Sequence, residues 1–135
     1  MMCKTNKVMK IYLATPVNGR NEKTLREKMK AAYERIQHMK EQLRKEYHDA
    51  RFCSSFDIEG IRLYMYDEAL APIPEPVIMG KCVRMVLESD LVVLDEDWMQ
   101  SKGCRLEDFV ASLYGKQIRT ISGLVLTSEF IDTEL

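Results

Sequence analysis

The pattern of apolar and polar positions changes period several times along the chain. Val8 to Ala14 is a short apolar run broken only by Lys10, and its Val, Ile and Tyr predict a strand. The Thr15-Pro16 pair ends that strand, and a polar loop follows from Val17 to Asn21. From Asn21 to about Tyr47 the apolar positions step by three and four, through Leu25, Met29, Ala32, Tyr33, Ile36, Met39 and Leu43. This spacing predicts a long helix, capped by Asn21 or by the box Thr24-x-x-Glu27. Its remaining faces are crowded with Lys, Arg and Glu, most simply a solvated surface.

Arg51 to Phe56 predicts a weak second strand, and Ile61 to Tyr66 is ambiguous. Asp67 to Pro76 holds three of the four prolines and predicts an irregular loop, long enough to lie over a site. Val77 to Glu88 predicts a helix with Met79, Val83, Val86 and Leu87 inward and Cys82 beside them. Asp90 to Asp95 reads as a buried strand between two acids, the pattern of a parallel strand covered on both faces. A third helix is predicted from about Gly103 to Tyr114, with Leu106, Phe109, Val110, Leu113 and Tyr114 facing inward. Ile118 to Ile121 and Leu124 to Leu126 predict one more strand.

Strands alternating with helices predict an α/β domain, a single flavodoxin-like or Rossmann-like unit over residues 1–135 with a mainly parallel sheet. Ligands on such sheets bind beyond the carboxyl ends of strands, where strand order reverses. The loops after Ala14 and after Leu94 are therefore the candidate site.

Composition narrows the function classes. Lys and Arg total 20 against 21 Asp and Glu, a net charge of −1. This excludes a strongly basic nucleic-acid binder and leaves a small molecule as the expected partner. No segment approaches the length of a membrane span, and the polar N-terminus lacks a signal-peptide core. The four cysteines form no C-x-x-C pair and match no zinc spacing, so neither metal nor cofactor is expected. The same lack of C-x-x-C, with no G-x-x-x-x-G-K-S/T loop, weakens a redox or phosphoryl-transfer reading. Reduced cysteines in a chain of this size predict a cytoplasmic protein. His38 and His48 are isolated, as surface or helix-end residues would be.

The chemistry concentrates in Ser101-Lys102-Gly103-Cys104-Arg105-Leu106-Glu107. Ser101 can cap the third helix, and Gly103 lets a ligand approach the backbone. Glu107 lies on the same side of the first turns as Gly103. Spacing leaves two readings: a flanking charge paired with Arg105 or a lysine, which it favours, or a nucleophile or general base aimed at a sugar.

Together with Lys10 to Arg20 and Ser89 to Leu94, this S-x-G-x-x-x-E segment resembles the nucleoside 2-deoxyribosyltransferase superfamily. It is most similar to a branch of small bacterial and phage proteins grouped with it. The superfamily also holds the 2′-deoxynucleoside 5′-monophosphate N-glycosidases. The resemblance covers the first strand, loop and helix and roughly residues 77–117, and is not clear over residues 49–76. It implies an N-glycosyl hydrolase or transferase acting on a nucleoside or nucleotide, with Glu107 as nucleophile at the anomeric carbon. Tyr12 then falls near the nucleophile, and Ser101 against sugar or phosphate. The loop Thr15, Pro16, Asn18, Gly19 and Arg20 falls on the phosphate side. Asp95, Asp97 and Trp98 could hold base or ribose. Plainer roles remain for each: a core aromatic for Tyr12 and Trp98, a strand-to-helix turn for Asn18-Gly19-Arg20, loop carboxylates for Asp95 and Asp97. The superfamily also implies a homo-oligomer. One departure stands out. Cys82 occupies the position of an aspartate common in the superfamily, which leaves a non-catalytic nucleotide or nucleotide-sugar binding module on the same fold as the alternative.

Overall fold

The computed structural model describes residues 8–18 and 20–126. Strand β1 is Lys10–Ala14, and helix α1 is Leu25–Arg44. Thr24, not Asn21, is the cap of α1. Its side chain accepts from the Glu27 N–H while Glu27 accepts from the Thr24 N–H, so two orphan donors of the first turn are satisfied at once. Met29, Ala32, Ile36, Met39 and Leu43 form the buried stripe of α1, as the spacing predicts. Strand β2 is only Arg51–Cys53, because Ser54 caps a 3-10 turn at Ser55–Asp57. The ambiguous segment is helix α2, Ile61–Tyr66, with Ile61, Tyr64 and Met65 buried. Helix α3 is Glu75–Leu87 and strand β3 is Leu91–Leu94. Helix α4 is Lys102–Leu113, followed by β4, Gln117–Thr120, and β5, Val125–Leu126.

The sheet order is β2-β1-β3-β4-β5. The first four strands are parallel and β5 is antiparallel to β4. The final segment is thus two strands of a hairpin rather than one, turned through Gly123 at φ +105°. This is a flavodoxin-like α/β domain. From β1 the chain builds outward to β2, then returns to place β3 on the other side of β1. Strand order therefore reverses between β1 and β3, which fixes where a ligand site belongs. Every residue of β3 is buried, as are Ile11 to Ala14 of β1.

Helix α4 corrects the sequence expectation. Its buried residues are Cys104, Glu107 and Ala111, whereas Leu106, Phe109, Leu113 and Tyr114 are 38%, 49%, 50% and 64% exposed. Only Val110 of the predicted stripe is partly packed against the core. Periodicity finds an apolar stripe but cannot say which face meets the sheet. Here the small Cys104 and Ala111 allow close approach, and the carboxylate between them finds a donor on β1.

Residues 61–73 lie over the carboxyl end of β1, held there largely by α1. The Arg26 guanidinium donates to the carbonyls of Tyr64 (2.7 Å), Asp67 (3.0 Å) and Leu70 (2.8 Å). It also stacks 4.0 Å from the centre of the Tyr64 ring. Gly60 starts α2 at φ +92°, a conformation costly for other residues, and Ile73 packs against it. Arg26→Met keeps the aliphatic stem and removes the charged donors. It should speed amide exchange across 61–73 by about tenfold with little change in the sheet. Unchanged exchange there would show that the cover does not depend on Arg26.

Candidate functional site

A cavity of about 270 Å³ opens at the carboxyl end of β1, beside the point of strand reversal. Its floor comes from β1 and the loop after it, through Tyr12, Leu13, Ala14, Thr15, Val17 and Asn18. Helix α1 adds Leu25, Met29 and Ile36, and the cover over residues 55–73 adds Phe56, Ile61, Tyr64 and Ile73. Helices α3 and α4 close it with Cys82, Ser101, Cys104 and Glu107. The walls are mainly apolar, with polar groups gathered at a few points, the usual make-up of a small-molecule site.

Glu107 is the most unusual of those groups. It is 5% exposed, and its Oε2 accepts a 2.6 Å hydrogen bond from the Tyr12 hydroxyl. The sequence places both residues simply: Tyr12 is the third residue of β1, an interior strand between β2 and β3, and Glu107 lies on the sheet-facing side of α4, one turn after Cys104. Burial pushes the Glu107 carboxyl up to about 7, against the smaller opposing effects of Tyr12 and Cys82. The Tyr12 hydroxyl is held well above its usual range, first by burial and then by the adjacent Glu107 charge, so it acts as a donor and not as a base. Burial and Glu107 push the Cys82 thiol up to about 12, so it too stays protonated at neutral pH. Cys104 is raised for the same two reasons. A carboxyl that titrates near neutrality in an apolar cavity, with one fixed donor, can serve as a nucleophile, an acid or a base.

The cavity brings together Tyr12, Thr15, Asn18, Ser101 and Glu107 of the predicted set. Ser101 caps α4 by accepting from the Cys104 N–H at 3.2 Å. Pro16, Arg20, Asp95, Asp97, Trp98 and Gly103 lie off the cavity wall, and Gly19 falls outside the described residues. The Arg20 guanidinium turns back to the Pro16 carbonyl (3.3 Å) and lies 3.6 Å from Glu22. Trp98 packs against the core in the turn before α4. A Cβ on Gly103 would meet the Met79 Sδ and Cε and the Ser101 Oγ no closer than 3.7 Å, ordinary contact distances, so packing does not demand a glycine there.

Asp95 has a structural task. It is 3% exposed and takes both guanidinium arms of Arg35 at 2.8 Å, the Thr15 hydroxyl at 2.7 Å and the Glu96 N–H at 2.8 Å. Burial pushes its carboxyl up, but these bonds, led by Arg35, outweigh that and hold it below the usual range. The network ties α1, the end of β3 and the loop after β1 together, so Thr15 reaches the cavity in a fixed position. Arg35→Met leaves a buried carboxylate without its cation. Because Arg35 is partly exposed, the expected loss is about 2 kcal/mol, less than for a fully buried pair. Chemical denaturation measures it, and an unchanged midpoint would mean that solvent replaces Arg35 without cost.

Sequence reasoning passed over the cover residues Phe56, Ile61, Tyr64 and Ile73, and also Cys104. The i, i+3, i+4 spacing of Ile61, Tyr64 and Met65 was a helical signal within a segment short enough to read either way. Among the described residues no group of His, Cys, Asp and Glu is placed to hold a metal, and no helix is long and apolar enough to cross a membrane. Cys53, Cys82 and Cys104 are free thiols.

Fold and site define an α/β domain with a mainly apolar cavity at the strand switch point and a buried carboxyl, Glu107, on its wall. The chain belongs to the DUF4406 family, a domain of unknown function, whose profile matches residues 9–120. No curated protein matches the chain.

Proposed function

We propose that this protein is an N-glycosyl hydrolase or transferase of nucleosides or nucleotides, with Glu107 as the nucleophile. The observation that carries the reading is the Glu107–Tyr12 pair, buried on the cavity wall at the strand switch point. The likeness of the S-x-G-x-x-x-E segment to the nucleoside 2-deoxyribosyltransferase superfamily points the same way.

In the first step a Glu107 carboxylate oxygen bonds to the anomeric carbon as the bond from that carbon to the base nitrogen breaks. The departing base keeps the bonding pair and takes a proton from water. The resulting glycosyl ester is then attacked at the same carbon by water or by the nitrogen of a second base. The ester bond breaks, Glu107 recovers its charge, and the incoming group loses a proton to solvent. Tyr12 assists both ways. Its hydrogen bond favours the carboxylate, so it orients the attacking oxygen and later stabilises Glu107 as the leaving group. The apolar walls limit water around the ester.

Incubation with a panel of nucleosides and their 5′-monophosphates, with and without a second base, tests this by following free base. Release above the Glu107→Ala background supports it, and release equal to that background overturns it.

The second reading is a non-catalytic binding module. What favours it is that Cys82, uncharged at neutral pH, lies beside Glu107 at the position where the superfamily commonly has an aspartate. Saturable nucleotide binding without turnover would select this reading.

A further inference from the structure

The Thr15 hydroxyl is held in one orientation. Its Oγ1 donates to Asp95 Oδ2 at 2.7 Å. The same Asp95 oxygen takes one Arg35 N–H, while Oδ1 takes the other Arg35 arm and the Glu96 N–H, each at 2.8 Å. These four bonds fill the acceptor sites of a carboxylate, and Asp95 stays ionised at neutral pH. Asp95 therefore has no proton to give back to Thr15. A hydroxyl carries one proton, and here it already belongs to the bond with Asp95. Toward the cavity, whose wall Thr15 helps to form, its oxygen offers only lone pairs.

The charges of the wall have the same preference. Among the described residues its charged side chains are Glu75 and Glu107, both acids. Arg20, on the same loop as Thr15, lies off the wall and is turned to the Pro16 carbonyl and Glu22. A phosphate monoester carries nearly two negative charges at neutral pH and presents acceptor oxygens. Set against Thr15, it would bring lone pair against lone pair. A hydroxyl, which can donate, fits the same position. Thr15 stands three residues beyond Tyr12, about 10 Å along the strand. The sugar hydroxyl that reaches farthest from the anomeric carbon is the one on the 5′ carbon.

Resting on the glycosyl reading of this cavity, we infer that Thr15 determines substrate specificity: it accepts from the 5′-hydroxyl of a free nucleoside and disfavours the 5′-monophosphate. The loop after β1 thus takes a neutral group where the superfamily likeness would set a phosphate.

Calorimetric binding to the full chain tests this, with nucleosides, their 5′-deoxy and 3′-deoxy analogues and their 5′-monophosphates as probes. For the wild type, loss of the 5′-hydroxyl should weaken binding about ten- to a hundredfold, and the monophosphate should bind at least about tenfold more weakly than the nucleoside. Thr15→Val keeps the outline of the side chain and removes the oxygen. It should bind nucleoside and 5′-deoxynucleoside equally, while its response to loss of the 3′-hydroxyl stays that of the wild type. Thr15→Ser, which restores the oxygen, should recover the discrimination. If Thr15 were only structural, Thr15→Val would weaken every probe alike and keep the preference for a 5′-hydroxyl, and that result overturns the inference. The wild-type series decides even where Thr15→Val does not fold: equal binding of nucleoside and 5′-deoxynucleoside, or a preference for the monophosphate, overturns it. The expected binding pattern without base release would overturn the proposed reaction alone. No nucleoside binding by the wild type would overturn both.

Discussion

Glu107→Gln is expected to lower the rate of base release by at least about a thousandfold with little change in KM. The amide has the shape of the carboxyl and can still accept from Tyr12, so the cavity keeps its form. It cannot form a glycosyl ester that water then cleaves. Tyr12→Phe separates positioning from nucleophilicity. It leaves the carboxyl in place but removes a hydrogen bond that favours the ionised form. The acid limb of kcat/KM, expected near 7 in the wild type, should therefore move to higher pH in Tyr12→Phe, with a loss of about ten- to a hundredfold at neutrality. If Glu107→Gln retained the wild-type rate, the nucleophile would lie elsewhere.

The second large effect is on stability, and its sign is the reverse of the usual carboxylate case. Folding raises Glu107 from an ordinary 4.5 to about 7. Between those values the folded state holds a proton that the unfolded state has released. The contribution of Glu107 to stability is thus fully present below about pH 4.5 and is lost as pH rises through about 7. The difference corresponds to about 3 kcal/mol once both states are ionised. Tyr12 and Cys82, the groups beside it, keep their protons across this window. Glu107→Gln should therefore be more stable than wild type by up to about 3 kcal/mol at about pH 8, with the gap closing toward about pH 4.5. Urea denaturation at the two pH values measures it. A variant less stable at high pH would mean that the carboxylate is well solvated or paired in the folded protein. Stability gained by removing a buried acid is the expected signature of a residue kept for function.

Much of the architecture was legible because it depends on local pattern. Thr24 and Glu27 marked one of two candidate starts for α1, beside Asn21, and the unbroken run Leu91–Leu94 announced a strand covered on both faces. The loops after β1 and after β3 were both marked from topology alone; the cavity opens at the first, whereas Asp95, Asp97 and Trp98 of the second lie off its wall. What failed depended on long-range contact. The apolar row of α4 looked like its core face, yet the sheet takes the side with Glu107, because Tyr12 stands 95 residues away to satisfy it. For the same reason spacing favoured a plain surface role for Glu107. Asp95 could not be separated from Asp97 by sequence, since its task depends on Arg35, 60 residues earlier. The cover over the cavity was half legible. Its prolines marked an irregular loop, but Arg26, which ties it down, looked like one more charge on a solvated helix.

The proposed reaction requires Glu107 to become covalently bonded to the anomeric carbon of a nucleoside or nucleotide. The most direct test is intact-mass analysis after incubation with nucleosides bearing fluorine at the 2′ carbon, which slows cleavage of the ester more than a productive enzyme can overcome. A gain of one fluorinated sugar is expected, with release of the base, located by peptide mapping on Glu107 and absent from Glu107→Gln. Base release from ordinary nucleosides with no adduct on Glu107, or an adduct on another residue, would contradict it.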